Sequence, residues 1–253
     1  MAGVVSADGR AMRSAPHWLQ NREPAGFGAE HPGQVITVTL ADPADADNGA
    51  APSHCTEQRP PMMEHPRNDA GWIEVICGPM FSGKSEELIR RLRRAAIAKQ
   101  RVQVFKPAID RRYDDTRIMS HSAQSLDAVA LPDVEGLVRA VVAGTQVVGI
   151  DEAQFFGPTL VSAVQRMADG GVRVIIAGLD QDYLGRPFEP VPQLLAIAEQ
   201  ITKCSAICTQ CGGTASRSFR LSGGAERVQV GAADAYEARC RACYLAATTG
   251  GAR

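Results

Sequence analysis

Residues 77–88 read CGPMFSGKSEEL, and within them Gly78, Pro79, Met80, Phe81, Ser82, Gly83, Lys84 and Ser85 match G-x-x-x-x-G-K-[ST]. The apolar run WIEVIC precedes this stretch, and the amphipathic, arginine-studded run from 84 to 99 follows it. The order strand, glycine-bounded loop, helix restricts the fold more than any other feature of the chain. Such a loop turns successive backbone N–H groups and the helix N-terminus inward onto an anion. A side chain at Gly83 would obstruct close approach of a phosphate. Lys84 would place a point charge on the β- and γ-phosphates of ATP, and the Ser85 hydroxyl would ligate Mg²⁺. Lys84 is one of only four lysines in a chain that otherwise uses arginine, so a compact ammonium is what the position calls for.

From Trp72 onward the pattern alternates. Strands are expected at 72–77, at 101–107 (stopped by Pro107), at 127–131, at 146–156 running into acidic residues, and at 172–180. Helices are expected at 84–99, at 132–144 (ended by Gly144), and at 157–171, with Pro158 in its first turn. This rhythm predicts an α/β fold of the P-loop NTPase (RecA-like) type, a mostly parallel sheet with helices on both faces. Ligands in such sheets bind beyond the carboxyl ends of the strands. After about residue 204 the rhythm stops and a cysteine-bounded module begins. The expected division is an N-terminal extension at 1–70, a P-loop domain at 71–203, a zinc-binding domain at 204–246 and a flexible end at 247–253. The first 70 residues hold eight of the 15 prolines, no lysine, and five arginines against nine acids. Only QVITVTL (34–40) resembles a strand there, so the segment reads as a flexible tail, with a start at Met62 or Met63 as the alternative.

Composition excludes some classes. A net charge of −1 argues against a general binder of nucleic acid or of membrane surfaces. No apolar stretch approaches the roughly 20 residues that span a bilayer. The N-terminus shows no apolar leader segment, so a cytoplasmic location is expected.

The strand VVGIDEAQFF ends in the second half of the expected site. Asp151 is expected to hold Mg²⁺ through water. Glu152 points differently and is the candidate general base for an attacking hydroxyl or water. A capping or solvated Glu152 is the bland alternative. The DEAQ wording also resembles the DExx box of nucleic-acid-dependent ATPases. Those enzymes usually need a second RecA-like domain, and only some 50 residues follow the last α/β element.

Five of the seven cysteines fall between 204 and 243. Cys208-x-x-Cys211 and Cys240-x-x-Cys243, with 28 residues between the pairs, suit a closed tetrahedral Zn²⁺ of structural type. A redox pair and an iron–sulfur centre are the alternatives. Zinc would pin the ends of a long loop at 212–239, and loops of this length are often lids. Cys77 and Cys204 read as small buried hydrophobes.

GPMFSGKS, DEAQFF, GLDQDYLGRPF and two CxxC pairs enclosing GAADAYEARC, in this order, closely resemble the type II thymidine kinases over residues 72 to about 246. The resemblance implies transfer of the γ-phosphate of ATP to the 5′-hydroxyl of thymidine, in pyrimidine deoxynucleotide salvage. It implies phosphate and Mg²⁺ contacts from Gly78, Met80, Phe81, Ser82, Gly83, Lys84, Ser85, Asp151 and Gln154, and a base in Glu152. From the segment DDTRIMSH, Asp115 would approach the metal and Arg117 the phosphates. The acceptor pocket would be lined by Met80, Phe155, Leu179, Tyr183 and Phe188. The zinc-anchored loop would close over the base with Ser218, Gln229, Val230 and Gly231, and Tyr236 would contact sugar or base. The chain has Gly231-Ala232 where the family often has Gly-Gly, and Ser218 where it has Thr. A homotetramer and feedback inhibition by thymidine triphosphate are implied as well.

Read without the family, the residues support a Mg²⁺-dependent phosphotransferase or NTPase with a zinc-stapled lid, and leave the acceptor open. A nucleic-acid-dependent ATPase whose zinc ribbon grips the strand is the rival. Residues 212–239 carry four arginines against three acids, with only Phe219 and Tyr236 aromatic, which favours a lid over a grip. The intact Lys84, Ser85, Asp151 and Glu152 argue against a non-catalytic zinc scaffold.

Overall fold

The structure is a computed structural model that describes residues 70–109, 117–119, 125–221 and 235–249. The readings of the tail, QVITVTL included, and of the last four residues lie outside the described residues. In chain order the elements are β1 (Trp72–Cys77), α1 (Lys84–Ile97), β2 (Val102–Pro107), β3 (Arg117–Met119), β4 (Ser125–Asp127), β5 (Val129–Leu131), α2 (Val134–Ala140), β6 (Val147–Ile150), a 3₁₀ turn (Ala153–Phe155), α3 (Thr159–Asp169), β7 (Arg173–Gly178), α4 (Val191–Ile197) and β8 (Gln200–Lys203). The cysteine-rich end adds β9 (Ala206–Ile207), β10 (Thr214–Ala215), β11 (Arg217–Arg220), β12 (Tyr236–Arg239) and α5 (Arg241–Thr249).

Six strands form one sheet in the order β5-β2-β6-β7-β1-β8, and every pairing is parallel. Buried residues alternate between its faces, as the two-residue period of a strand requires. Ile73, Val75 and Cys77 of β1 join one core with Leu137 of α2, Leu160, Val164 and Met167 of α3, and Leu194 of α4. Ile76 joins the other with Leu88, Ile89, Leu92 and Ala95 of α1. Three helices thus cover one face and α1 the other, the P-loop NTPase arrangement that the sequence predicts. At Gly149 of β6 a Cβ would lie 2.6 Å from Leu92 Cδ1, so the missing side chain lets α1 close onto the sheet.

The α1 face of β1 also carries a buried carboxylate. Glu74 accepts hydrogen bonds from Trp72 Nε1 (2.8 Å), Arg91 Nη1 (2.7 Å) and Arg173 Nε (2.7 Å). Arg91 reaches on to Glu87 and, through Nη2, to Thr202 Oγ1 (2.8 Å), which fastens α1 to β8. Burial alone would push the Glu74 carboxyl up, but the Arg173 hydrogen bond and charge, with Trp72 and Arg91, hold it below its ordinary 4.5. Glu74→Ala leaves two guanidinium groups without their shared partner and is expected to cost about 3 kcal/mol. A depressed carboxylate stabilises the fold at pH above its unfolded value and loses that contribution as pH falls through its folded one. Urea denaturation should therefore show wild type and variant converging in stability as the pH is lowered below about 4.5. A gap that stays constant down to pH 3 would contradict the assignment.

Several boundaries differ from expectation. The helix expected at 132–144 spans Val134–Ala140: the Asp133 side chain caps it by accepting from Gly136 N (2.6 Å), and Val141 turns extended at ψ 115°. Gly144 lies beyond, at φ 82° against the Arg101 guanidinium, in a turn that no longer belongs to the helix. The strand expected at 127–131 is two strands. Asp127 ends β4, which pairs with β3, while Val129–Leu131 joins the sheet beside β2. The strand expected to run from 146 to 156 stops at Ile150, because Glu152 takes a left-handed conformation and a 3₁₀ turn follows. α4 and β8 were not anticipated. VPQLLAI is a seven-residue helix with a proline near its start, and QITK is a half-exposed edge strand, too short for a periodic signal.

The cysteine-rich end builds its own small core from Ala206, Cys208, Ala215 and Ala238, against which Phe81 of the glycine-bounded loop packs. Cys77 is buried as expected, and Cys204 is half-buried beside it. Among the described residues no helix is long and apolar enough to cross a membrane.

Candidate active site

The loop 78–83 leaves β1 at its carboxyl end in a conformation that only its sequence permits. Gly78 has φ 144°, and a Cβ there would lie 2.3 Å from the Cys204 carbonyl oxygen. That approach is fixed because Cys204 N donates to Cys77 O (2.8 Å) across the β1–β8 pair. Gly83 caps α1 at φ 77°. Phe81 also sits at positive φ (64°), a cost that loops holding a fixed anion-facing shape commonly carry. The Pro79 carbonyl accepts from both Ser82 Oγ (2.8 Å) and Lys84 Nζ (2.7 Å), so the ammonium is folded over the loop. Ser85 stands in the first turn of α1, where the helix dipole favours a phosphate.

At the carboxyl end of β6, Asp151 is buried, and its Oδ1 accepts from Glu152 N (2.9 Å). Glu152 has φ 48° and ψ 45°, an uncommon conformation for a residue with a side chain and one that clusters at functional sites. Gln154, buried on the 3₁₀ turn, donates from Nε2 to Glu152 Oε2 and accepts at Oε1 from Leu179 N (3.0 Å). It therefore ties the expected base to the end of β7.

Met80, Phe155, Leu179, Tyr183 and Phe188, the residues expected to line the acceptor pocket, follow the carboxyl ends of β1, β6 and β7 in the chain. Phe155 and Phe188 meet edge to face at 6.2 Å. Phe188 N donates to Asp180 O (3.1 Å), and the Asp182 carboxylate accepts from Leu184 N and Arg186 N, which folds 180–188 into a tight turn carrying Tyr183. Lys203 at the end of β8 pairs with Asp180 at 2.8 Å, bracing this turn from across β1.

Two contacts join the cysteine-bounded hairpin to these elements. Ser218 of β11 is buried and accepts from Met80 N (3.0 Å), so its hydroxyl serves the glycine-bounded loop. Arg220 lies over the Tyr183 ring at 3.7 Å and donates to the Tyr236 hydroxyl from Nε (3.1 Å) and Nη2 (2.8 Å). Neither Arg220 nor the bridging role of Gln154 was found in the sequence, where one arginine among four in a loop carries no distinguishing signal. The backbone of Arg117 lies on β3. Asp115, Gln229, Val230 and Gly231 lie outside the described residues.

The four cysteine sulfurs of 208, 211, 240 and 243 lie within 4.8 Å of one another, and Cys211 and Cys240 Sγ are 3.7 Å apart. Four thiolates at about 2.3 Å from Zn²⁺ in a tetrahedron stand about 3.8 Å from one another, so the spacing fits. The backbone N–H of Cys240 leads the groups that bring the Cys208 thiol down to about 6. The neighbouring Cys240 sulfur leads those that push Cys243 up to about 12. Four crowded sulfurs cannot all ionise without a cation among them, and the spacing and thiolate chemistry of the set fit a divalent ion such as Zn²⁺.

A family model described as thymidine kinase matches residues 71–244. Curated relatives include the thymidine kinase of Rhodothermus sp., 54% identical over 184 residues that cover 73% of this chain and 86% of the relative. The thymidine kinase of Bdellovibrio bacteriovorus is 55% identical over 171 residues (68% and 84%), and that of Deinococcus radiodurans is 52% identical over 201 residues (73% and 94%).

Proposed function

The chain belongs to the thymidine kinase family, and on that premise we propose that it transfers the γ-phosphoryl group of ATP to the 5′-hydroxyl of thymidine, and of deoxyuridine, giving the 5′-monophosphate and ADP. The observation that carries this reading is the convergence of the phosphate loop, the Asp151–Glu152 pair and the Phe155–Phe188 contact at the carboxyl ends of β1, β6 and β7. The loop amides and Lys84 would hold the β- and γ-phosphates in line with the acceptor. Ser85 and Asp151 would hold Mg²⁺, with Asp115 and Arg117 completing the phosphate side; when bound, Mg²⁺ offsets charge on the transferring group. Glu152 takes the 5′-hydroxyl proton as the 5′ oxygen forms its bond to the γ-phosphorus. The bond from that phosphorus to the β,γ-bridging oxygen breaks, and ADP leaves with the electron pair. Gln154 keeps the Glu152 carboxylate aimed.

Met80, Phe155, Leu179, Tyr183 and Phe188 form the nucleoside pocket in this reading. Ser218, Gln229, Val230, Gly231 and Tyr236 belong to the loop that covers the base. Zn²⁺ on Cys208, Cys211, Cys240 and Cys243 is structural. We read the division between kinase domain and zinc module at 203/204. A cytoplasmic homotetramer, inhibited by thymidine triphosphate in the acceptor site and feeding salvage for DNA synthesis, completes the proposal.

The test is ADP release from ATP and Mg²⁺ by the purified protein with thymidine, with single-stranded DNA, or with neither. Release is expected with thymidine alone. Release that needs DNA, with thymidine inert, would instead mean that the zinc module grips a strand.

A further inference from the structure

We propose that the Lys203–Asp180 ion pair is a strut that sets the tilt of the 180–188 turn, and that Lys203 is thereby a positioning residue for the deoxynucleoside acceptor. The inference rests on the kinase reading above and deepens it. Asp180 is buried and meets Lys203 Nζ at 2.8 Å, whereas the lysine side chain is 56% exposed. The register shows how residues of two separated strands come to touch. Gly178 of β7 and Lys203 of β8 both stand beside Cys77 of β1, one on each side. Residues in register share a face of the sheet, and Cys77 belongs to the core under α2, α3 and α4. Asp180 lies two positions beyond Gly178 and returns to that face. Lys203 therefore reaches across the end of β1, where the glycine-bounded loop departs, to a carboxylate at the foot of the turn. It is also the last residue of β8 before the cysteine-bounded module begins.

The turn is well bonded within itself. Asp182 N donates to Arg186 O (2.9 Å), Gly185 N to Asp182 O (2.9 Å) and Phe188 N to Asp180 O (3.1 Å), and Gln181 forms a bridge with Pro187. These bonds fix the shape of the turn but not its angle to the sheet, because all of them lie inside it. The angle depends on what holds the turn from outside. The Tyr244 hydroxyl on α5 donates to the Tyr183 carbonyl (2.8 Å), and Lys203 holds the foot. Tyr183 and Phe188 ride on the turn, and Phe188 meets Phe155 of the 3₁₀ turn edge to face. All three belong to the nucleoside pocket proposed above, so a small rotation at Asp180 moves two of its walls against the third. Without the ammonium, the buried carboxylate would turn towards water or another donor and take the foot of the turn with it.

Steady-state kinetics and amide hydrogen exchange of Lys203→Met, Lys203→Arg and Asp180→Asn test the proposal. Lys203→Met and Asp180→Asn should each raise the thymidine KM about tenfold, the lower end of what a charge-assisted hydrogen bond is worth, while the KM for ATP moves less than about threefold. The two act in the same direction because each removes one end of the strut. A field effect on bound phosphates would give opposite signs, since one substitution removes a positive charge and the other a negative one. Lys203→Arg keeps the charge and should recover most of the loss. In the protein without substrate, amide exchange over 180–188 should quicken about tenfold in Lys203→Met and Asp180→Asn and return towards normal in Lys203→Arg. If the unaltered protein ignores thymidine, the kinase reading falls, and the acceptor role of Lys203 falls with it. If it responds to thymidine, the strut alone is overturned by a thymidine KM that stays unchanged in both variants, by shifts of opposite sign, or by a raised KM without faster exchange of the turn. Equal rises in both KM values with a lowered melting temperature would reduce the pair to general structural support and overturn the strut as well.

Discussion

Glu152→Gln is expected to lower turnover by about 10²- to 10⁴-fold, the range for removing a positioned general base, while ATP affinity changes less than about threefold. The substitution keeps shape and the capacity to accept from Gln154 Nε2, so the 3₁₀ turn and its tie to Leu179 should persist. What it removes is the ability to take a proton. The left-handed backbone at Glu152 carries its own cost, of the order of 1 kcal/mol or more, and the unaltered fold retains it because Asp151 must follow directly on β6 and the next side chain must then turn elsewhere. Steady-state ADP release and calorimetric ATP binding separate the two effects. Near-normal turnover in the variant would remove Glu152 from the base role and shift attention to the substrate phosphate itself as proton acceptor.

The sequence revealed those parts of the protein that local chemistry dictates. The phosphate loop was readable because Gly78 and Gly83 occupy conformations that side chains resist, and Lys84 stands where a point charge is needed. The strands of the sheet interior were readable because both of their faces are buried, which forces continuous apolar runs such as VRVIIAG. The four zinc-spaced cysteines were readable because ligand spacing is a covalent constraint. The edge strand β8 was missed since half of its residues face away from the core, and α4 since a seven-residue helix shows barely two turns of periodicity. The contacts that assemble the site are a different kind of information. Ser218 meets Met80 across 138 positions and Arg220 meets Tyr183 across the module boundary. Nothing in the wording RSFRL distinguishes Arg220 from Arg217. Only the hairpin register, which places Arg220 opposite Tyr236, tells them apart.

Those long-range contacts give metal removal an effect beyond the module that holds it. The purified chain is expected to carry one Zn²⁺ per chain, and Cys240→Ser to lose it. Structural zinc contributes about 10–16 kcal/mol in small zinc-finger peptides, far more than a core of three alanines and one cysteine can supply here. Without the ion, β11 and β12 lose the anchor that holds their ends. Arg220 then cannot stay over Tyr183, and the thymidine KM should rise at least about fiftyfold, more than loss of any single acceptor contact would cause. The ATP site should respond too, but less. Phe81 packs against the zinc module and Ser218 bonds the Met80 amide, so the phosphate loop loses two supports while Lys84, Ser85 and Asp151 remain on the sheet. An increase of about threefold to tenfold in the KM for ATP is expected, the worth of one or two modest contacts. Titrating a chelator while following zinc release and both KM values gives the comparison directly. Equal loss of both affinities would mean that the module holds up the whole fold, whereas full zinc release with an unchanged thymidine KM would show that the hairpin keeps its place over the acceptor without the metal.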